Sequence, residues 1–95
     1  MNCARLVFSG HAIQRMFERA IGRDDVKEVV AHGEAVAEYP DDSPYPSRLI
    51  LGWVNSKPVH VVVAVDAATA ACIVITVYQP QPDWWKNDFR TRRAE

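Results

Sequence analysis

Ser9-Gly10-His11-Ala12-Ile13-Gln14-Arg15-Met16-Phe17-Glu18-Arg19-Ala20 reads as a capped helix with one apolar side, and the rest of the chain has to supply what that side lies on. Ser9 starts it, because its hydroxyl can accept a bond from an otherwise unpaired amide of the first turn. At about 100° per residue, Ala12, Ile13, Met16, Phe17, Ala20 and Ile21 share one broad arc, expected to be core, and His11, Arg15, Glu18 and Arg19 share the opposite one. The second arc stands an imidazole and two guanidiniums one above another at four-residue steps. Such a row is either a solvated face, with an Arg15–Glu18 contact of little energetic weight, or a set of groups facing a ligand.

Working outward, Ala4-Arg5-Leu6-Val7-Phe8 is a short apolar run that suits an edge strand leading into this helix. Gly22 suits the residue just past its end. Asp24 and Asp25 favour the start of a second helix through the macrodipole, Val26, Val29 and Val30 give it an apolar stripe, and Gly33 stops it. The pair is a poor DNA-reading motif, since the second helix presents Asp25 and Glu28 outward, towards where phosphates would lie.

After Gly33 the period changes to two. Glu34 to Tyr39 reads as a strand, and the proline-rich stretch from Pro40 to Pro46 as an extended loop. Arg48 to Asn55, Pro58 to Asp66 and Ala71 to Gln79 come next as three strands joined by turns short enough for hairpins. The expected fold is α+β: two N-terminal helices packed on one face of a roughly four-stranded antiparallel sheet, in a single domain spanning residues 1–95. Alternation sends Val59, Val61, Val63 and Val65 one way, and His60, Val62, Ala64 and Asp66 the other. In the last strand it groups Ile73, Ile75 and Val77, which are expected to lie under the helices, and opposes them to Cys72, Val74, Thr76 and Tyr78. His60, Thr76 and Tyr78 then share the second face. There they are either half-buried sheet residues with ordinary partners or the wall of a shallow site.

Pro80-Gln81-Pro82 breaks the sheet, and Asp83 to Arg90 is expected to form a short helical turn capped by Asp83. Trp84, Trp85 and Phe89 are expected to fold back over the sheet. The alternative is RNA binding, in which a tryptophan stacks on a base while Arg90, Arg92 and Arg93 neutralise phosphates.

Composition bounds these readings. Ninety-five residues, 48% of them hydrophobic, make one globular domain, not a disordered chain. The net charge of −1 argues against indiscriminate coating of nucleic acid, but the charge is unevenly placed. Residues 1–23 carry four arginines against Glu18, whereas residues 24–46 carry seven acids against Lys27. A basic helix and tail can therefore face a polyanion while an acidic segment faces water or a basic partner. The longest apolar run, Val59 to Val65, is interrupted by His60 and far too short to span a membrane, and no signal-like segment opens the chain, so a cytoplasmic location is expected. Cys3 and Cys72 have no zinc-like spacing and no disulfide framework around them, and are expected to be reduced, buried thiols. His11, His32 and His60 likewise lack ligand spacing, so neither a metal nor another cofactor is expected. A partly apolar second face with Val62, Ala64 and Val74 invites self-association, for instance as a homodimer.

His11-Ala12-x-x-Arg15-Met16-x-x-Arg19-x-Ile21, with Asp25-Val26, Gly33-Glu34, Tyr39-Pro40, Pro44-Tyr45-Pro46, Leu51-Gly52, Pro58-Val59-His60-Val61-Val62 and Ile75-Thr76-Val77-Tyr78 after it, resembles domain-of-unknown-function family 4258 over nearly the whole chain. That family is similar to small toxins of the RelE and BrnT kind, which implies two N-terminal helices against an antiparallel sheet and an endoribonuclease of the mRNA-interferase type. It also implies a zinc-finger antitoxin as partner, and the alternative to the enzyme that it carries is a relative that has kept the fold and lost the activity.

Metal-independent RNA cleavage needs a base for the 2′ hydroxyl, an acid for the leaving 5′ oxygen and cations for the phosphorane. The residues suited to these tasks are His11 and His60 for proton transfer, Arg15 and Arg19 for the scissile phosphate, and Tyr78 to orient or protonate. The competing reading is a non-catalytic interaction module, binding an antitoxin-like partner or a second copy.

Overall fold

The change of period at Gly33 divides the chain into a helical third and a sheet. The computed structural model describes residues 1–94. In chain order the elements are β1 (Arg5–Phe8), α1 (Gly10–Arg19), α2 (Arg23–His32), β2 (Glu34–Tyr39), β3 (Ser47–Val54), β4 (Lys57–Asp66) and β5 (Ala71–Tyr78). The five strands form one sheet in the order β1-β5-β4-β3-β2. β2 to β5 are the expected antiparallel meander, and the edge strand expected over Ala4–Phe8 is β1, which makes the sheet five-stranded and runs parallel to β5, with Leu6 opposite Cys72 and Phe8 opposite Val74. The sheet is therefore mixed.

Ser9 caps α1 as expected: its hydroxyl accepts from the Ala12 amide at 3.0 Å and donates to the Ile75 carbonyl at 2.9 Å, which ties the helix start to β5. The helix ends at Ala20, in the left-handed region at φ 54°, and its amide bonds back to Met16 and Phe17. Gly22, expected to terminate α1, instead precedes α2, and its amide donates to the Asp25 carboxylate at 3.1 Å. α2 needs two close approaches. A Cβ on Gly33 would strike the Val29 carbonyl, and one on Gly52 would lie 2.6 Å from a Val29 methyl, so these glycines let α2 sit directly on β3.

The helices cover one face of the sheet. Ala12, Met16, Ile21, Val26, Val29 and Val30 pack there against Ile50, Val59, Val61, Val63, Cys72, Val74 and Val77. Two expectations fail on this face. The apolar arc of α1 is wider than the sheet beneath it: Ala12 and Met16 are buried, but Ile13 is 43% and Phe17 88% exposed. The strict alternation expected for β5 also breaks, because the β4–β5 register shifts between Val62 and Val63, pairing Val62 with Thr76 and Val63 with Val74. Ile75 is the extra residue of a bulge. Cys72 and Val74 therefore join Val77 under the helices, while Ile75 is left 36% exposed.

Parallel pairing carries the chain start alongside β5 and brings Cys3 and Cys72 to a Cα separation of 5.6 Å, where they form a disulfide. The expectation of reduced thiols gives way because a separation of 69 residues in sequence says nothing about a contact made by strand pairing.

The second face carries Leu49, Leu51, His60, Val62, Thr76 and Tyr78. A strap, residues 80–94, crosses it. The strap contains no helix. The Trp84 and Trp85 amides bond to the Gln81 carbonyl, the Lys86 amide to the Thr91 carbonyl and the Arg93 amide to the Trp84 carbonyl, making a small looped hairpin. The turn is held by Asp88 and not by Asp83, the expected helix cap. The Asp88 carboxylate accepts from the Arg90 and Thr91 amides and the Thr91 hydroxyl, which holds it below the usual carboxylate range.

Candidate nucleic-acid interface

His60 decides how the strap lies. It is fully buried on the strap face, with Nε2 2.8 Å from the Phe89 carbonyl oxygen and Nδ1 3.2 Å from the Tyr78 hydroxyl. A carbonyl can only accept, so Nε2 carries the hydrogen, and Nδ1 of the neutral ring accepts from the Tyr78 O–H. Burial lowers the pKa of His60, outweighing the Phe89 carbonyl that favours the charged ring. The Trp85 ring meets the imidazole edge-on at 4.5 Å, and Phe89 meets Trp53 edge-on at 6.0 Å. Arg90 reaches across to Glu34 on β2 at 2.6 Å.

Beside this anchor lies a cleft of about 280 Å³. The last residue of α1, Arg19, forms one wall, and Tyr78 and Gln79 at the end of β5 form another. Gln81, Trp84, Trp85 and Arg92 of the strap complete it. The Arg92 guanidinium lies 5.4 Å from the centroids of both Trp84 and Trp85. Trp84 is 58% exposed, which leaves it area to stack on a ligand. Burial raises the pKa of the Tyr78 hydroxyl, with the Arg92 charge opposing, so the phenol stays protonated at neutral pH. The cleft thus offers two guanidiniums, an aromatic face, two amides and a phenol oxygen whose proton is directed at His60.

Of the residues singled out from sequence, Arg19, Tyr78, Trp84, Trp85 and Arg92 meet here, with His60 behind Tyr78. The others do not. His11 is exposed on α1, which packs on the helix face of the sheet, whereas His60 is enclosed on the strap face, so the two imidazoles share no site. Arg15 lies outside the cleft lining and pairs with Glu18 at 3.4 Å. Arg90 is committed to Glu34, and Arg93 donates from Nε to the Pro82 carbonyl at 2.7 Å. Val74, expected on an open second face, belongs to the helix-side core. Gln79 and Gln81 are the cleft residues that sequence reasoning misses, because no periodic or charge signal marks them. Their place beside Tyr78 and between two prolines is the available clue.

The fold and cleft define a small α+β domain with one sheet face under two helices and the other under a C-terminal strap. A family model described as a domain of unknown function, DUF4258, matches residues 8–79, and the chain belongs to that family. The match ends where the strap begins, so three of the cleft's lining residues come from the family domain and four from the strap beyond it. No curated protein and no solved structure matches the chain. No helix among the described residues is long and apolar enough to cross a membrane.

Proposed function

We propose that the cleft between Arg19 and Arg92 binds single-stranded RNA, and that the domain acts there as a toxin-like endoribonuclease with Tyr78 as its proton-transfer group. The observation that carries this reading is the convergence of two guanidiniums, an exposed tryptophan and a phenol in one cleft. Arg19 and Arg92 hold the scissile phosphate and stabilise its transition-state charge, and Trp84 stacks on the neighbouring base. The Tyr78 oxygen takes the 2′ hydroxyl proton as its own proton moves to Nδ1 of His60. The 2′ oxygen then bonds to phosphorus as the bond to the 5′ oxygen breaks, and the 5′ oxygen leaves with a proton from water. The hydroxide so formed takes up the transferred proton, which returns Tyr78 to its O–H form and His60 to the neutral ring.

Binding and cleavage are tested separately. End-labelled RNA is incubated with wild type, Arg92→Ala and Tyr78→Phe, with anisotropy reporting binding and the product ends reporting chemistry. Tyr78→Phe is expected to bind normally and to cleave at least about a hundredfold more slowly, the usual contribution of a proton-transfer group. Arg92→Ala is expected to weaken binding. Products ending in 2′,3′-cyclic phosphate and 5′ hydroxyl support the route, and no cleavage by the wild type above buffer would end the enzymatic reading.

A second reading rests on Phe17, 88% exposed, and Ile13 one turn before it. Two apolar side chains in water on α1 suit an interaction module that docks an antitoxin-like partner or a second copy. An effect of Phe17→Glu on partner capture or on oligomeric state, with RNA inert, would favour it.

A further inference from the structure

We infer that the cleft is the middle of a continuous track for an extended RNA strand, with a second cationic subsite at Lys57 and a third at Arg93. This rests on the reading of the cleft as an RNA site and extends it from a phosphate pocket to a polymer path. The observation is that three cavities share walls. The central cleft of about 280 Å³ shares Arg19 and Gln79 with a cavity of about 190 Å³ that continues to Asn55 and Lys57 at the β3–β4 turn. On its other side it shares Trp84 and Arg92 with a cavity of about 250 Å³ bounded by Asp83 and Arg93.

The charges along this path are available. Arg15, Arg48 and Arg90 are each paired with a glutamate, but among the described residues Arg19, Lys57, Arg92 and Arg93 form no ion pair. Asp83 is the one carboxylate among the described residues lining the three cavities. Four cations along cavities that share walls, with an exposed tryptophan between them, match the backbone-tracking arrangement of single-strand binding and exceed what a mononucleotide needs. Arg93 is also pre-positioned, because its Nε bond to the Pro82 carbonyl fixes the side chain. The order of the shared walls sets the path, from the β3–β4 turn, past the end of α1, to the strap.

The test measures binding of 2′-O-methyl RNA of two and of eight nucleotides, which cannot be cleaved through the 2′ oxygen, to the full chain as a function of salt. The octamer is expected to bind at least about tenfold more tightly than the dimer, with Lys57→Ala and Arg93→Ala each lowering the salt slope for the octamer by about 0.7, as expected for one lost phosphate contact on a single strand. Neither substitution should change dimer binding, and Lys86→Ala, on the strap but outside the three cavities, should change neither. Arg93→Lys separates charge from the Pro82 bond: retention of octamer affinity supports the subsite, and a loss equal to that of Arg93→Ala removes Arg93 from the track. If Arg92→Ala weakens both oligomers while Lys57→Ala and Arg93→Ala weaken neither, the track is wrong and the central site stands. If Arg92→Ala is without effect, or neither oligomer binds, the RNA reading fails and the track with it.

Discussion

On its helix face the sheet is held by aliphatic side chains from two helices and three strands, whereas on the strap face a fifteen-residue segment without regular structure is held mainly by His60, two aromatic contacts and the Arg90–Glu34 pair. The first kind of cover is non-directional, so its energy is spread over many residues and no single bond decides it. The second is directional: one ring bonds a strap carbonyl on one side and a cleft hydroxyl on the other. A surface that builds a ligand site is thus attached by few and specific bonds, and the cleft is as stable as those bonds.

The largest effect should come from the staple on the helix side. Reducing Cys3–Cys72, or replacing both residues by alanine, opens a loop of 69 residues, and is expected to cost about 4 kcal/mol on the chain-entropy account, read as a fall in the denaturant midpoint. An unchanged midpoint would mean that β1 is held by pairing alone.

His60→Ala is next and acts on the other face. It leaves the half-buried Phe89 carbonyl without its donor and a cavity beneath Trp85, for an expected loss of about 2–3 kcal/mol. Hydrogen exchange should speed up at the Lys86 and Arg93 amides, which the strap pairing protects, while α1 and α2 keep their protection. Uniform loss across both faces would erase the distinction between them. The same residue sets a pH dependence. The folded ring has a lowered pKa, so the unfolded chain binds the proton first as pH falls, and His60 should subtract stability from about pH 6.5 downward until the folded ring is itself protonated. That part of the pH profile should vanish in His60→Gln.

Gly52→Ala probes the helix face by overpacking. Its Cβ meets the Val29 methyls, and about 2 kcal/mol of destabilisation is expected, partly recovered in the double variant with Val29→Ala. The smallest change should be favourable: Ala20→Gly relieves a left-handed backbone at the end of α1 and should stabilise by up to about 1 kcal/mol. A loss there would show that the Ala20 methyl packs usefully.

The two faces are unequally legible in the sequence. Both helices and β3 to β5 can be placed within a residue or two of their bounds, because a 3.6 period, a period of two and the Asn55-Ser56 turn are local signals. Nothing local marks the parallel pairing of β1, the bulge at Ile75 or the Cys3–Cys72 contact, all of which depend on partners distant in sequence. Phe17 misleads because an apolar arc states what can be buried, not how wide the surface beneath it is. The strap has no period, and its geometry comes from Asp88 turns and a histidine bond. The cleft is legible as a set of residue types, since Arg19, Tyr78, Trp84, Trp85 and Arg92 suit RNA chemistry. His11 and Arg15 share those credentials on a surface that leads elsewhere.

The bulge at Ile75 makes β5 a strand with a phase slip of half a period. Before it, Cys72 and Val74 answer to the helices; after it, the parity is reversed, so that Val77 is core and Tyr78 reaches the cleft. Counting positions along this strand is therefore meaningful only relative to Ile75. Removing that one residue would restore unbroken alternation, with Val74 and Val77 still inner and Thr76 and Tyr78 still outer. The strand thus carries one residue more than its pairing with β4 uses, and a one-residue deletion there should disturb the two faces less than a deletion at any neighbouring position.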